Sequence, residues 1–399
     1  MDAQRSIGLV GLVGFLLWMP LGCNHLDENK LYFSSFLNIS YGAAENVDPA
    51  LTSLDIHVPR NARDAPVLVF VHGGSWAFGD KHLYHSTKLP FLLSLGYVVV
   101  SPNYRLSTDT IKHPNHVNDV AAALRWTVDN IKNFGGDPGG IYLMGHSAGA
   151  HLVSLLTLSD EFLTNVGLDQ SRIQGVVMVD TAAYDMVKTM ESLSNTPSSY
   201  FHKAFGKKLE TWIHASPLHQ IQENRDYPPF LVLVASPVLM PIADQLKTIR
   251  ERKWERVVEF SERLRQTGAS VYTVDAMQYK SHRTINEHLG NRRDLPTSVL
   301  QQFLEFTEAS RTDQSLPQEP SVASVFSVQG SEWHTARRDL GDYTADVVIR
   351  FRDQNGDNRI DRSELQGIEV TYFEGWDLDS DGAISKEDIV RGYEKLEPN

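Results

Sequence analysis

The sequence predicts an α/β domain built on a mostly parallel, doubly wound sheet, followed by a small α-helical C-terminal module. Three observations carry that expectation. Short apolar runs recur along most of the chain, helix-patterned segments lie between them, and the last sixty residues switch to a duplicated acidic pattern. A strand with one wet face alternates apolar and polar residues, whereas a strand buried on both faces reads as a nearly continuous apolar run.

The runs VLVFVH (67–72), YVVVSPNY (97–104), IYLMGH (141–146), GVVMVD (175–180), FLVLVAS (230–236) and SVYTVD (270–275) are of the continuous kind. The earlier LTSLDIHVP (51–59) alternates, which suits an antiparallel edge strand. Between the runs, NDVAAALRWTVDNIKNF and QLKTIRERKWERVVEFSERLRQTG carry apolar residues at helical spacing, the second stopping at Gly268. Strands alternating with helices call for a parallel sheet with helices on both faces.

The chain has 399 residues, enough for one large domain and something small. Its net charge of −13 argues against a nucleic-acid partner, because phosphate neutralisation needs clustered Lys and Arg. Residues 1–23 read as an export segment: Arg5, then the apolar IGLVGLVGFLLWM, then LGC. The apolar core is short for a membrane span. Cys23 is the chain's only cysteine, so no intrachain disulfide is available. The stretch resembles a bacterial lipoprotein signal, with Pro20 where that pattern has Leu. This implies lipidation of Cys23 and attachment to a membrane; ordinary export and an uncleaved anchor are the alternatives. The expected location is periplasmic or cell-surface. The main domain is placed at 31–308. A linker rich in Ser, Gln and Pro follows at 309–340, and the C-terminal module occupies 341–399.

Two motifs bear on chemistry. GHSAG (145–149) lies between the strand IYLM and the helical AHLVSLLTL, which is the strand–turn–helix setting of a nucleophile elbow. Its glycines permit a strained turn that leaves the Ser147 hydroxyl exposed, with the Ala148 N–H at a helix start to meet a negative oxygen. HGGSW (72–76) closes an earlier strand, and its bare glycine backbone at Gly73 and Gly74 suits further oxyanion donors. Either motif alone is compatible with an ordinary tight turn. Together, in this order and each at a strand end, they point to a serine nucleophile.

HGGSWAFGDK, SPNYRL, NDVAAALRW, NFGGDP and GHSAGAHL, in this order, resemble the esterase/lipase branch of the α/β-hydrolases. They are most similar to the group of kynurenine formamidases and prenylcysteine or feruloyl-type carboxylesterases. ISYG, LDIHVP and AFGKKLETWIHASPL fit the same group, and the resemblance spans about residues 38–290. It implies hydrolysis of an ester, or of an amide or formamide, through a serine acyl-enzyme that needs no catalytic cofactor. The substrate class is a small-molecule or polymer-linked ester, and residues 184–215, with Trp212, are candidates for its pocket.

A serine needs a base later in the chain. His282, in YKSHRTI after the last strand, stands where the family brings its histidine over the serine; His288 is the runner-up. The family places the acid shortly after FLVLV, where this chain has Ser236, Pro237, Val238 and Leu239. The expected triad is therefore Ser147, His282 and Asp244, with Asp180 at the end of GVVMVD as the rival acid. A missing acid is the third alternative.

DQNGDNRIDRSEL and DLDSDGAISKEDI repeat the EF-hand spacing of oxygen donors. The first loop offers Asp353, Asn355, Asp357, the Arg359 carbonyl, Asp361 and Glu364. The second offers Asp377, Asp379, Asp381, the Ala383 carbonyl, Ser385 and Asp388. A merely solvated acidic tail does not account for donors at positions 1, 3, 5, 9 and 12 of both loops with Ile at position 8 of each. Ca2+ is the expected ion. Only residues 365–376 separate the loops, so a compact bacterial EF-hand or dockerin-like pair is expected rather than an opening sensor. Two functions remain: an exported esterase with a calcium-bound appendage, or a catalytically impaired hydrolase-fold binding protein attached through that appendage.

Overall fold

The computed structural model describes residues 33–42, 47–83, 86–192, 200–236, 243–277, 280–292 and 294–312. In the C-terminal part it describes residues 357, 359–361, 377, 379 and 381–394. The export segment, nearly all of the linker, and Asp353, Asn355 and Glu364 lie outside the described residues.

Eight strands form one sheet: β1 (Phe33–Ser40), β2 (Ser53–Pro59), β3 (Ala65–Val71), β4 (Val98–Pro102), β5 (Gly136–His146), β6 (Ile173–Val179), β7 (Phe230–Val234) and β8 (Val271–Asp275). Their order is β1-β2-β4-β3-β5-β6-β7-β8. β1 and β2 pair antiparallel, as do β2 and β4, and all later neighbours are parallel. This mostly parallel sheet with helices on both faces is the α/β-hydrolase fold. The expected antiparallel edge strand is present as β2, but it is not outermost, because β1 pairs beyond it.

Helices α1 (Lys88–Ser94), α2 (Asn115–Asn130), α3 (Ala148–Leu158) and α4 (Asp160–Thr164) occupy the first half. Among the described residues, four short helices lie between β6 and β7: α5 (Met186–Ser192), α6 (Tyr200–Phe205), α7 (Leu209–His214) and α8 (Pro217–Gln220). Then come α9 (Ala243–Arg265), α10 (Thr284–Glu287) and α11 (Leu295–Arg311). The C-terminal part contributes β9 (Ile360–Asp361), β10 (Ala383–Ile384) and α12 (Lys386–Glu394).

Strand alternation divides the core in two. On one face Val67, Val69, Val71, Leu143, Val176, Met178 and Val232 pack against α2, α3 and α9 through residues such as Val117, Leu152 and Phe260. On the other, Leu68, Phe70, Met144, Val177, Val179 and Leu233 meet α1 and α11 through Leu92, Leu300 and Phe303. Neighbouring residues of one strand thus feed opposite cores, which is why these runs are continuously apolar. The parallel arrangement also gathers the C-terminal ends of β3, β5, β6, β7 and β8 on one edge of the sheet. Ligands of open α/β sheets bind at that edge.

Candidate active site

β5 runs directly into the turn that carries Ser147. Ser147 has φ 55° and ψ −117°, a backbone conformation that side-chain-bearing residues rarely adopt. The surroundings hold it there: the Ser147 N–H donates to the Val179 carbonyl at 2.9 Å, and its carbonyl accepts from His151 N–H at 3.1 Å. The flanking glycines are dictated by space. A Cβ on Gly145 would lie 2.3 Å from the Gly149 backbone, and one on Gly149 would lie 2.1 Å from the Val71 carbonyl oxygen. A Cβ on Gly73 would come within 3.1 Å of the Ser147 Cβ, so the HGGSW loop presses against the serine. Ala148 is the first residue of α3, so its N–H has no acceptor within the helix.

His282 arrives from the far side of the sheet. After β8 the chain passes through Lys280, whose carbonyl accepts from Ser236 N–H at 2.8 Å, and Ser281 bridges in parallel to Ser236. This extra rung anchors the chain one residue before the histidine. The imidazole then lies between two partners: Nδ1 is 2.6 Å from Asp180 Oδ2, and Nε2 is 2.9 Å from Ser147 Oγ. Since a carboxylate only accepts, Nδ1 carries the proton and Nε2 is free to accept from the serine hydroxyl. His288, the runner-up, sits elsewhere, with Nδ1 3.1 Å from Lys280 Nζ.

The acid facing this imidazole is Asp180, which corrects the expectation of Asp244. Asp244 belongs to α9, while residues 237–242, from which a displaced loop acid would have emerged, lie outside the described residues. Asp180 directly follows β6, the strand beside β5, and has φ 49°. Asp tolerates that left-handed conformation better than most residues. The His282 ring has one Nδ1–H, and Asp180 takes it.

Asp180 is buried and has further partners. Its Oδ1 accepts from Ala235 N–H at 2.8 Å and from the Lys253 ammonium at 2.6 Å. Burial alone would raise this carboxyl, but the Lys253 charge and the His282 and Lys253 hydrogen bonds hold it well below the usual carboxylate range. Asp180 is therefore an anion wherever the protein is folded at ordinary pH.

His146, the residue before the nucleophile, supports the base. Its Nε2–H donates to the His282 carbonyl at 2.9 Å, and the two rings lie 4.6 Å apart. Burial, reinforced by the neighbouring His282, pushes His146 down to about 3, so it is a neutral donor at physiological pH. Neither His146 nor Lys253 carries a local sequence signal: His146 fills the variable second position of the G-x-S-x-G elbow, and Lys253 lies in the charged run ERKWER.

The segment between β6 and β7 packs against the HGGSW loop. Trp76, from HGGSW, packs edge-on against Phe201, Phe205 and His151 at 5.1, 4.7 and 5.2 Å. Its indole N–H donates to His151 Nδ1 at 3.2 Å, and His151 Nε2 donates to the Ala215 carbonyl at 2.8 Å. One polar relay thus ties the Gly-rich loop to residues 201–215. Trp212 is half-buried against the core on the same segment, its indole N–H 3.3 Å from the Gly206 carbonyl.

In the C-terminal part, Ile360 of β9 pairs with Ile384 of β10, and Asp361 pairs with Ala383. These isoleucines are the position-8 residues of the two acidic loops. Asp377, Asp379 and Asp381 each offer a carboxylate oxygen within 4.8 Å of the others. Asp377 also accepts from Asp381 N–H at 3.0 Å and Gly382 N–H at 2.9 Å. The Arg359 guanidinium pairs with Asp381, Asp357 accepts from Arg359 N–H at 2.9 Å, and Asp388 accepts from Ser385 N–H at 2.8 Å.

Fold and triad geometry together define a protein with the serine-hydrolase arrangement on the α/β-hydrolase fold. Similarity to known proteins points the same way. Residues 54–237 match the family described as BD-FAE. The chain is 36% identical to juvenile hormone esterase of Heliothis virescens over 34% of this chain and 27% of that protein. It is 28% identical to "Probable carboxylic ester hydrolase LipM" of Mycobacterium tuberculosis over 65% of this chain and 58% of the relative. In each case the matched part is less than two thirds of the relative. Among solved structures, esterase B of Lactobacillus rhamnosis superposes with a TM-score of 0.55 at 20% identity, over 71% of this chain and 89% of that one. That likeness is one of fold.

Proposed function

We propose that this protein is an exported serine carboxylesterase that cleaves a carboxylic ester through an acyl-enzyme, with Ser147, His282 and Asp180 as its triad. The observation that carries the reading is the continuous line of contacts from the Ser147 hydroxyl through both nitrogens of His282 to the buried Asp180 carboxylate. The esterase relatives support the substrate class.

Ser147 Oγ attacks the ester carbonyl carbon while His282 Nε2 removes its proton. The resulting imidazolium is stabilised by Asp180 through Nδ1–H. The carbonyl oxygen becomes an anion, to which the N–H groups of Gly73, Gly74 and Ala148 are assigned. When the C–O bond to the alcohol breaks, the leaving oxygen takes the proton from Nε2. Water, deprotonated by the same nitrogen, then attacks the acyl-enzyme and releases the acid and Ser147. An activated amide or a formamide fits the same steps. The segment around Trp76, Phe201 and Phe205 borders the pocket.

The C-terminal loops are assigned to Ca2+. The three clustered aspartates are hard oxygen donors of the kind calcium prefers, and the β9–β10 pairing joins the two loops at their position-8 isoleucines. Residues 1–23 serve export, with Cys23 as the lipidation point for membrane attachment. Among the described residues no helix is long and apolar enough to cross a membrane. The rival reading, an impaired binding protein, drew on the acid lacking after β7; with Asp180 in contact with His282, no observation favours it.

Turnover of p-nitrophenyl butyrate tests the assignment. Ser147→Ala is expected to lower kcat/KM by about 10⁴ or more. Equal turnover by the variant would remove Ser147 from the mechanism.

A further inference from the structure

We propose that Lys253 is a positioning residue that tunes the basicity of His282 by sharing the Asp180 carboxylate with it; this rests on the serine-hydrolase reading above. The Lys253 ammonium donates to Asp180 Oδ1 at 2.6 Å and to the Ala235 carbonyl at 2.7 Å. The other oxygen of the same carboxylate meets His282 Nδ1. The lysine side chain is only 12% exposed and the aspartate side chain is fully buried, so water does little to screen the pair.

The placement has a structural logic. Ala235 follows β7 directly, just before residues 236–239, where the family pattern leads one to expect the acid. Its N–H binds Asp180 and its carbonyl binds Lys253. The lysine thus bridges the end of β7 to a carboxylate supplied from β6. It also fixes Asp180 Oδ1, so that Oδ2 is directed at the imidazole.

The cost of that arrangement is electrostatic. A triad carboxylate favours the imidazolium; an ammonium on its second oxygen opposes it. Lys253 therefore offsets part of the pull that the Asp180 carboxylate exerts on an imidazolium at His282. Among the described residues, the other charged or titratable groups around the ring and its acid are His146 from β5, Arg250 from α9, Asp275 at the end of β8 and Tyr184 beyond β6. Lys88 of α1 lies behind His146. His146 is neutral, and Arg250 donates to the Met277 carbonyl at 2.8 Å and to Ser236 Oγ at 3.3 Å. Burial raises the Asp275 carboxyl above its ordinary value, against the lowering pull of the Met277 N–H and of Arg250 and Lys253. Among the described residues, Lys253 is the lysine paired with the triad acid.

The test is an NMR titration of the His282 ring in the full-length protein, with Lys253→Gln, Lys253→Met and Lys253→Arg compared with wild type. Gln keeps a donor for Ala235 and Asp180 without the charge, so it remains informative if the Met variant folds poorly. The His282 titration is expected to move up by about one pH unit in Gln and Met and by less than about 0.3 in Arg. The acid limb of kcat/KM on p-nitrophenyl butyrate is expected to move up by the same amount. An unshifted His282 titration in folded Lys253→Gln overturns the proposal, because a purely structural lysine would leave it in place. Failure of the esterase reading is read separately: wild-type protein would not turn over the ester, while the ring titration would still decide the role of Lys253.

Discussion

Replacing Asp180 by asparagine separates two consequences that the geometry joins in one carboxylate. The amide keeps the shape but cannot stabilise an imidazolium, and it can turn its NH2 toward Nδ1 and force the wrong tautomer. In the Ser-His-Asp template that change lowers kcat by about 10⁴. The second consequence falls on Lys253, whose ammonium is nearly buried and would face a neutral group. Breaking one side of a buried ion pair costs about 3–5 kcal/mol. Ala235 O remains as an acceptor for the lysine, which places the expectation near 3 kcal/mol. For a domain of this size that is a fall in Tm of roughly 6–12 °C. The assays are kcat/KM on p-nitrophenyl butyrate at a temperature where the variant is folded, and a thermal melt. Asp244→Asn serves as the contrast, with activity within about twofold of wild type. The reasoning is refuted if Asp180→Asn keeps more than a tenth of wild-type kcat/KM, or if Asp244→Asn loses a thousandfold.

Three further outcomes follow from the same contacts. His146→Phe removes the donor to the His282 carbonyl, so kcat is expected to fall about tenfold with KM little changed; a loss confined to KM would contradict the positioning role. Asp180 contributes a pH-dependent term to stability. Its folded-state pKa lies below its unfolded value, so its stabilisation is fully present above the unfolded value, near 4, and is lost as pH falls toward the folded one. A stability profile in which wild type and Asp180→Asn converge as pH drops from 5 to 3 bears this out; parallel profiles would count against it. Calcium titrated calorimetrically into chelator-stripped protein is expected to bind, with Asp377→Ala losing the second-loop site. Titration without any heat change or competition with a calcium dye would dismiss the metal assignment.

The parts of the site that could be read from the sequence are those whose backbone admits few residues. Gly145 and Gly149 are required because any Cβ would collide with backbone, and the strain at Ser147 demands just such flanks. That requirement is local and leaves a local signature. The choice of acid is not local. It depends on which strand end faces the imidazole, and both β6 and β7 end beside the site. Asp180 was visible as a candidate, but its contact with His282 spans a hundred residues of chain. Lys253 had no signature at all, since ERKWER reads as the wet face of a helix until the fold turns its lysine inward. β1 was missed for a different reason: FSSFLNIS has no buried face to impose alternation, and Phe33, Phe36 and Leu37 are exposed. The parallel strands were legible because both faces are buried, and that environment selects apolar residues at every position.

The central claim is that Ser147 is a nucleophile activated by His282 and Asp180. Reaction with a fluorophosphonate, mapped by peptide mass spectrometry, tests it most directly. The account predicts rapid phosphonylation at Ser147 alone, abolished in Ser147→Ala and slowed by about 10³ or more in Asp180→Asn. Wild-type protein that remains unmodified, or that is modified equally fast in Asp180→Asn, would contradict it.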